Sequence, residues 1–185
     1  MNLIIGCDVE TTGLDACADD MLEIALAAID LQSFRIVARY EARITPTETG
    51  LLRLRENDFV LQMHEGSGLL HALTQDAKPL EQVERECCEF FDLQRGVGQG
   101  SPLFGTNPSF DRKFLEVHMP ELARKFHYRS FDTNCLMMLR KALEGAETRD
   151  LMRVKGGTAH RAMADIEQSV AHVHDFLTWM GSLSR

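Results

Sequence analysis

Residues 3–14 read LIIGCDVETTGL, a strand pattern that ends in two acids and a glycine turn. Because successive side chains of a strand point to opposite faces, the odd-numbered apolar residues share one face, whereas Asp8 and Glu10 share the other. Gly13 permits a tight turn after the acids. We therefore expect a strand that leaves both carboxylates at its carboxyl end.

The rest of the chain predicts strands first and then alternating strands and helices. Two more strands are predicted at 21–30 and 35–44, joined by a hairpin turn at Gln32-Ser33, which makes three antiparallel strands. Further along the chain, the spacing of apolar residues predicts a helix at 80–90, a strand at 102–105, a helix at 110–115 and a helix at 120–126. It also predicts a short strand around 131–132, a helix at 136–143 and a last helix at 166–180. Residues 45–75 predict no clear element. This order is typical of an α/β layered domain with a mixed sheet.

Size and composition indicate a single domain over residues 1–185. The chain has 185 residues, of which 44% are hydrophobic, enough for one substantial core. No apolar run approaches the ~20 residues that a membrane helix needs. The amino terminus leads directly into a strand and lacks the basic region and cleavage site of a secretory signal. The five cysteines form no C-x-x-C pair, so we expect free thiols in a reducing cytoplasm, with neither a disulfide framework nor a zinc site.

The charge of the chain limits the partners that it can bind. The net charge is −8 and the isoelectric point is near 5.3. A protein that binds long nucleic acid without sequence preference normally has a basic face, so extended contact with a phosphate backbone is disfavoured. An enzyme acting on nucleic acid is not excluded, because bound divalent cations reverse the charge of an acidic cleft.

Three carboxylates in two segments are candidate metal ligands. Mg²⁺ and Mn²⁺ prefer oxygen ligands, and the adjacent carboxylates of Asp8 and Glu10 can share ions that neither holds alone. Asp111, within FDRKF (residues 110–114), is expected in the first turns of a helix that follows a strand. Each acid taken alone also fits a structural role, as part of a solvated strand end or as a favourable charge at a helix amino terminus.

His160 and Asp165 form a second candidate group. They occur in AHRAMAD (residues 159–165), after Gly156-Gly157-Thr158. Within one helix, a spacing of five residues would turn the two side chains ~140° apart. They therefore converge only if His160 lies in the loop or at the helix start. From there its imidazole, with an ordinary pKa of ~6.5, can accept a proton from water near neutral pH; an ordinary surface or core histidine is the alternative.

The segments DVETTGL, FDRKF and AHRAMAD, in this order, resemble the DEDD exonuclease superfamily, histidine subtype. The resemblance implies a ribonuclease H-like three-layer domain with a mixed five-stranded sheet flanked by helices. It also implies a two-metal mechanism, in which ions ~3.5–4 Å apart clamp the attacking and leaving oxygens of an in-line displacement. On this basis His160 deprotonates the attacking water, and four carboxylates bind two Mg²⁺ or Mn²⁺ ions. These carboxylates are Asp8, Glu10, Asp111 and Asp165.

Further segments resemble the oligoribonuclease family. MHEGSGL (residues 63–69) is similar to its M-H-x-x-S-G-L segment, and MPEL (119–122) followed by FHYR (126–129) is similar to its M-P-E-L…F-H-Y-R stretch. The family degrades very short RNA, especially dinucleotides, to mononucleotides, and it works as a homodimer. The resemblance implies these substrate contacts: Leu14 as a wedge against the bases, His64 closing a small pocket, and Tyr128 and Arg129 reaching the active site of a partner subunit.

The chain departs from that family at two places. The family usually reads DLEMTGL, whereas Val9 and Thr11 here are closer to proofreading exonucleases. Before Asp111 the family usually has Gly-Asn-Ser, where this chain has Thr106-Asn107-Pro108. Asn107 is then the residue expected to supply a hydrogen bond to the terminal phosphate of the substrate.

Together these observations favour a cytoplasmic 3′→5′ exoribonuclease that degrades short oligonucleotides, down to dinucleotides, to nucleoside 5′-monophosphates. The first alternative is a proofreading or repair-type 3′→5′ exonuclease acting on single-stranded DNA ends. The second is a catalytically silent member of the fold that only binds nucleic acid. Such a module would have no need to keep four mutually repelling carboxylates.

Overall fold

A computed structural model describes residues 2–96, 98–151 and 160–183. The strands are Leu3–Thr11 (β1), Met21–Asp30 (β2), Arg35–Arg43 (β3), Ser101–Gly105 (β4) and Phe126–Asp132 (β5). They form one sheet in the order β3-β2-β1-β4-β5. The first three strands are antiparallel, whereas β4 is parallel to both β1 and β5. The predicted mixed five-stranded sheet is therefore confirmed for the described part of the chain.

Helices cover both faces of this sheet. They are Glu48–Glu56 (α1), Asp58–Gly66 (α2), Leu69–Asp76 (α3), Leu80–Arg95 (α4), Pro108–His118 (α5), Pro120–Ala123 (α6), Thr133–Leu143 (α7), Thr148–Leu151 (α8) and Ala162–Leu183 (α9). On one face, Ile5 and Cys7 of β1 share a core with α4 and α5, and on the other face Ile4 shares a core with α9. The alternation predicted for β1 thus separates two cores, and the three-layer arrangement follows from it. Among the described residues no helix has the length and apolar character needed to cross a membrane.

The burial of each strand reflects its place in the sheet. All but the last residue of β2 is buried, because β1 and β3 pair with its two edges and helices cover its faces. This explains why residues 21–30 read as a nearly continuous apolar run. By contrast, most of β3 alternates between exposed and partly buried residues, as expected for an edge strand.

Residues 45–75, for which the sequence predicted no clear element, contain most of three short helices. Side chains cap the first two: Gly50 donates its backbone N–H to Thr47 Oγ1 (3.0 Å), and Val60 donates to Asn57 Oδ1 (3.3 Å). The helices pack on a small separate core that includes Leu22 of β2. Caps of this kind stabilise helices whose own length contributes little.

The predicted boundary between a helix at 120–126 and a short strand around 131–132 was wrong. Helix α6 ends at Ala123, and β5 already begins at Phe126. Phe126 pairs with Ser101 of β4, and its ring meets Phe91 edge-on with ring centroids 5.1 Å apart. Pairing with β4 and this contact with α4, both remote in sequence, therefore override the local helical pattern.

Gly6 allows α9 to approach β1 next to the strand's acidic end. A Cβ atom at Gly6 would lie 3.1 Å from Cγ2 of Ile166 in α9 and 3.2 Å from Cδ1 of Ile29 in β2. Both distances are tighter than ordinary packing allows. The absence of a side chain at this position thus sets the spacing between the sheet and the helix that carries Asp165.

We expect Gly6→Val to lower the free energy of unfolding by about 1–3 kcal/mol, because its methyl groups overpack the contact with α9. Urea denaturation followed by circular dichroism measures this change. Gly181→Val is the matched control, since a Cβ there meets no atom within 4 Å. An equal effect of both substitutions would contradict the proposed role of the Gly6 contact.

Candidate active site

The carboxyl end of β1 presents two acids toward α9. Asp8 and Glu10 lie on the same side of the strand as Ile4, which packs in the core beneath α9. Glu10 is 6% exposed. Glu10 is therefore enclosed by the fold and Asp8 is partly buried, so the pair does not form the solvated strand end that the sequence had left open.

Asp111 joins them from the first turn of α5. Its Oδ1 accepts a hydrogen bond from the backbone N–H of Val9 at 3.0 Å. Gly105 allows this approach, because a Cβ there would lie 3.2 Å from the carbonyl oxygen of Cys7. The hydrogen bond fixes the carboxylate beside the residue that separates Asp8 from Glu10.

His160 and Asp165 complete the cluster from the start of α9. His160 lies two residues before the helix with a left-handed backbone (φ 49°), and Asp165 lies in the first turn. Ligand atoms of Glu10, His160 and Asp165 all lie within 4.8 Å of one another. His160 thus lies ahead of the helix, which is the condition that its convergence with Asp165 requires. The Gly156-Gly157-Thr158 segment that precedes them in the sequence lies outside the described residues.

The enclosed carboxylates resist ionisation. Burial, followed by the charges of Asp165 and Glu23, raises the pKa of Glu10 to about 8. Burial also raises the pKa of Asp111 to about 7, against the hydrogen bond from Val9, which lowers it. The pKa of Asp8 is likewise raised, by burial and then by the charge of Asp111. Such a cluster ionises fully near neutral pH only when positive charge is added.

His64 approaches the same acids from α2. It is fully buried, and its Nε2 lies 2.9 Å from the carbonyl oxygen of Thr11. Because a carbonyl only accepts, Nε2 carries the proton and Nδ1 presents a lone pair. Nδ1 has no hydrogen-bond partner and lies 3.9 Å from Glu10 Oε2. Burial lowers the pKa of this imidazole, so His64 is a neutral side chain at the edge of the cluster.

The loop after β1 presents Leu14 to solvent. Leu14 is 85% exposed, whereas Asp19 beneath it is buried and accepts a hydrogen bond from the backbone N–H of Asp15 at 3.0 Å. A Cβ at Gly13 would lie only 2.4 Å from Asp19 Oδ2, so the turn requires glycine. Beside the loop is an open cavity of about 500 Å³, lined in part by Leu14, Asp19 and Arg53.

Asn107 occupies the turn that leads into α5. It is exposed and has a left-handed backbone (φ 55°), and its amide oxygen accepts a hydrogen bond from the Ser109 hydroxyl at 3.0 Å. The sequence had singled out Asn107 but not Ser109, whose hydroxyl therefore lies beside the residue expected to contact phosphate.

Tyr128 and Arg129 lie apart from the carboxylates, on the edge strand β5. Tyr128 is 74% exposed, its ring lies 4.3 Å from that of His127, and the Arg129 guanidinium lies 5.4 Å from the Tyr128 ring centroid. The structure thus gathers Asp8, Glu10, Asp111, His160 and Asp165 with His64 nearby. It does not bring Tyr128 or Arg129 to that end of the sheet.

Sequence reasoning missed Glu23 and Arg161. Glu23 is 1% exposed and stands opposite Glu10 in the β1–β2 ladder. Its carboxylate binds the Arg161 guanidinium, with 2.8 Å from Nη2 to Oε1. One signal was available, because a charged residue inside the apolar run 21–30 is rarely buried without a partner. The identity of that partner depends on tertiary packing.

The fold is similar to that of solved exonucleases. The nuclease domain of 3′hExo, described as a DEDDh family member bound to rAMP, has a TM-score of 0.62 at 14% identity. The similarity covers 96% of this chain and 92% of the 3′hExo chain. The zinc-bound complex of E. coli exonuclease I with single-stranded DNA has a TM-score of 0.65 at 14% identity. It covers 92% of this chain, which spans about two fifths (39%) of exonuclease I. The predicted ribonuclease H-like fold is confirmed.

Sequence similarity is stronger and covers most of the chain. Residues 5–173 match the family model RNase_T, described as exonuclease. The oligoribonuclease of Idiomarina loihiensis is 30% identical over 174 residues, covering 94% of this chain and 91% of that protein. The oligoribonuclease of Enterobacter sp. strain 638 is 33% identical over 172 residues, covering 93% of this chain and 92% of that protein. The chain belongs to the exonuclease family and, within it, to the oligoribonucleases.

Proposed function

We propose that residues 1–185 form one exonuclease domain that degrades short RNA, down to dinucleotides, to nucleoside 5′-monophosphates in the cytoplasm. The observation that carries the site is the convergence of Glu10, His160 and Asp165, with ligand atoms within 4.8 Å of one another. Family membership sets the reaction as 3′→5′ exonucleolytic hydrolysis. The similarity to oligoribonucleases supports short RNA as its substrate.

Asp8, Glu10, Asp111 and Asp165 would hold two divalent cations, Mg²⁺ or Mn²⁺. Their donor atoms are carboxylate oxygens, which these cations prefer. The raised pKa values of Glu10 and Asp111 reflect burial and repulsion that added positive charge relieves. When bound, the ions would polarise the scissile phosphate and offset the charge of the transition state.

His160 would accept the proton of the attacking water. Its side chain is partly exposed, so water reaches it, and it lies close to Glu10 and Asp165. An imidazole is the side chain that most often accepts a proton from water in enzymes. His160 is therefore proposed as the proton acceptor, with the four carboxylates as the metal ligands.

Several features favour a short substrate. The chain carries a net charge of −8, which is unfavourable for a long phosphate track. The cavity of about 500 Å³ beside Leu14 has the volume of small-molecule sites (~300–1,000 Å³), and it adjoins the loop after β1 rather than the carboxylates themselves. An exposed leucine on a rigid turn suits contact with a base. His64, beside Glu10, and the exposed Asn107 are the further proposed substrate contacts. Single-stranded DNA remains the alternative substrate, because it is bound to the E. coli exonuclease I that shares the fold.

The position of Tyr128 supports a homodimer. Through the pairing of Leu103 with both Ile5 and Ser130, Tyr128 is level with the first half of β1. That places it about 10 Å from Asp8 along the strands and about 10 Å across two strand spacings. A tyrosine side chain does not bridge this separation. If Tyr128 and Arg129 contact substrate, they do so in the active site of a second copy.

A cytoplasmic location is consistent with the cysteines. All five are free thiols in the structure, and two of them, Cys7 and Cys87, are buried. Proteins in oxidising compartments tend to use cysteines for disulfides instead.

We expect the wild-type enzyme to hydrolyse a diribonucleotide faster than a twenty-nucleotide single strand of RNA or DNA. Turnover is measured by chromatography of the released mononucleotides over lengths of two to ten and twenty nucleotides, with ribose and deoxyribose and with Mg²⁺ or Mn²⁺. Much faster degradation of the long DNA would favour the proofreading alternative. If none of these substrates is hydrolysed in a metal-dependent way, the proposed function is wrong.

Asp111→Asn is the control for that assay. Asparagine keeps an oxygen that can accept the Val9 hydrogen bond but removes the charge. We therefore expect a folded protein without Mn²⁺-dependent activity. Full activity of this variant would contradict the assignment of Asp111 as a metal ligand.

The stability of the metal-free protein should depend on pH in a defined direction, and metal binding should offset that dependence. Glu10 and Asp111 have folded-state pKa values of about 8 and about 7, above their ordinary values, so the folded protein binds more protons than the unfolded chain. Stability of the metal-free protein should thus fall as pH rises through about 7–8.5. Mn²⁺ binds the deprotonated carboxylates, so at pH 8.5 a saturating amount should raise Tm by roughly 5–10 °C.

Thermal unfolding in EDTA or Mn²⁺ at pH 7.0 and 8.5 measures both effects. In Asp111→Asn the fall in stability and the Mn²⁺ effect should both shrink. A metal-free Tm that rises with pH would contradict the electrostatic account.

The contribution of Tyr128 across a dimer can be tested by complementation. Asp111→Asn and Tyr128→Ala should each be inactive as homodimers. A heterodimer purified through two different tags contains one complete site if Tyr128 serves the partner, and about half of wild-type activity should return. If Tyr128 serves its own chain, the heterodimer stays inactive. A monomer in size-exclusion chromatography would also contradict the dimer.

A further inference from the structure

Glu23 is a buried acid where an apolar residue would be expected. Along β2 it shares a face with Ala25, Ala27 and Ile29, which pack in the core beneath α9. Its side chain is 2% exposed. A leucine or methionine at this position would continue that row, and burying a carboxylate is unfavourable unless it is fully paired. The arrangement therefore needs a reason other than packing.

The partners of Glu23 are the two residues that follow His160. Arg161 donates from Nη2 to Oε1 at 2.8 Å and from Nε to Oε2 at 3.1 Å, which is a bidentate pair. The backbone N–H of Ala162, the first residue of α9, donates to Oε2 at 3.0 Å. One carboxylate on β2 thus holds both a side chain and the backbone at the entry to α9.

This contact also replaces a missing helix cap. The residue before α9 is Arg161, whose guanidinium has only donors and cannot accept from the first turn of the helix. Glu23 supplies the acceptor from a different strand, and its negative charge is favourable at a helix amino terminus. As a result, the start of α9 is fixed relative to β2 and to Glu10, which is paired with Glu23 in the ladder.

Fixing residues 161 and 162 restricts the residue that precedes them. His160 has a left-handed backbone (φ 49°), a conformation that non-glycine residues seldom adopt unless their surroundings impose it. With its following two residues held by Glu23, the backbone of His160 has little freedom to relax. Its imidazole is thereby kept within 4.8 Å of the Glu10 and Asp165 carboxylates.

We propose that Glu23 and Arg161 form a positioning pair that holds His160 in its catalytic orientation. The inference rests on the proposed function in one respect, the role of His160 as proton acceptor. Glu23 itself contacts neither substrate nor reacting atoms. It acts through the backbone of residues 161 and 162.

The first test is Glu23→Gln. Glutamine keeps an oxygen for the Ala162 N–H but loses the ion pair with Arg161. We expect kcat on a diribonucleotide to fall by about 10- to 100-fold, the range for a modest displacement of a catalytic group. KM should change less than about threefold, because the carboxylates remain in place, and kcat is compared at saturating Mn²⁺ because the charge of Glu23 also acts on Glu10. Arg161→Met should behave similarly, and Arg161→Lys should fall between it and wild type, since lysine keeps the charge but not the bidentate geometry.

Glu167→Gln is the matched control. Glu167 pairs with Arg39 of β3 at 2.9 Å, so it also ties α9 to the sheet, but it lies on the exposed surface. This variant should keep wild-type kcat. Thermal unfolding of all four variants shows whether any loss of activity follows from unfolding. If Glu23→Gln does not fold, Arg161→Met decides, because Arg161 is partly exposed.

A double-mutant cycle separates positioning from a structural role. In a His160→Ala background, measured with enzyme in excess, Glu23→Gln should cause no further loss, because the group that it positions is gone. A further loss of about 10-fold or more would show that Glu23 acts on the carboxylates or on the fold. An unchanged kcat in Glu23→Gln and Arg161→Met would also overturn the inference. If His160→Ala alone retains wild-type kcat, the assignment of His160 fails, which is a different result.

Discussion

Repulsion between enclosed carboxylates is the constraint on which this site depends. Asp8, Glu10 and Asp111 meet where burial and neighbouring charges raise their pKa values. Such a cluster is unfavourable in isolation, so the surrounding structure has to hold it together. The fold does so with neutral contacts: the hydrogen bond from Val9 to Asp111, and the space left by Gly6 and Gly105. The carboxylates are thereby gathered at one strand end, where divalent cations can compensate for the charge that they acquire on ionisation.

The elements that carry this cluster could be predicted because their signals are local. The alternation of residues 3–10 fixes which face of β1 holds Asp8 and Glu10, and the period of residues 166–180 identifies α9. The boundary between α6 and β5 could not be predicted in this way. Whether Phe126 is helical or extended depends on its contacts with Ser101 and Phe91, and the sequence of residues 120–132 contains no signal of either contact.

The same distinction applies to the site. Its acids and His160 were identified because their order along the chain is characteristic and each stands at an element end. Glu23 was overlooked because its role depends on contacts with Arg161 and Ala162, which are 138 and 139 residues away in the sequence. An acid in a buried strand indicates that a charged or polar partner exists, but the sequence does not identify that partner. The position of His160 was predicted from helical geometry, but the contacts that hold it there could be found only in three dimensions.

The proposed assignment places chemistry and recognition on different parts of the fold. Glu10 and Asp111 are 6% and 3% exposed and depend on the packing of two cores, whereas Leu14 and Tyr128 are 85% and 74% exposed, on a loop and an edge strand. Changes at exposed positions leave the carboxylate geometry intact, because surface substitutions seldom disturb a core. This chain accordingly shares its sheet arrangement, at 14% identity to each, with a nuclease domain bound to rAMP and with an exonuclease bound to single-stranded DNA. On the proposed assignment, the buried strand end determines the reaction, and the exposed side chains of Leu14 and Tyr128 contribute to the choice of substrate.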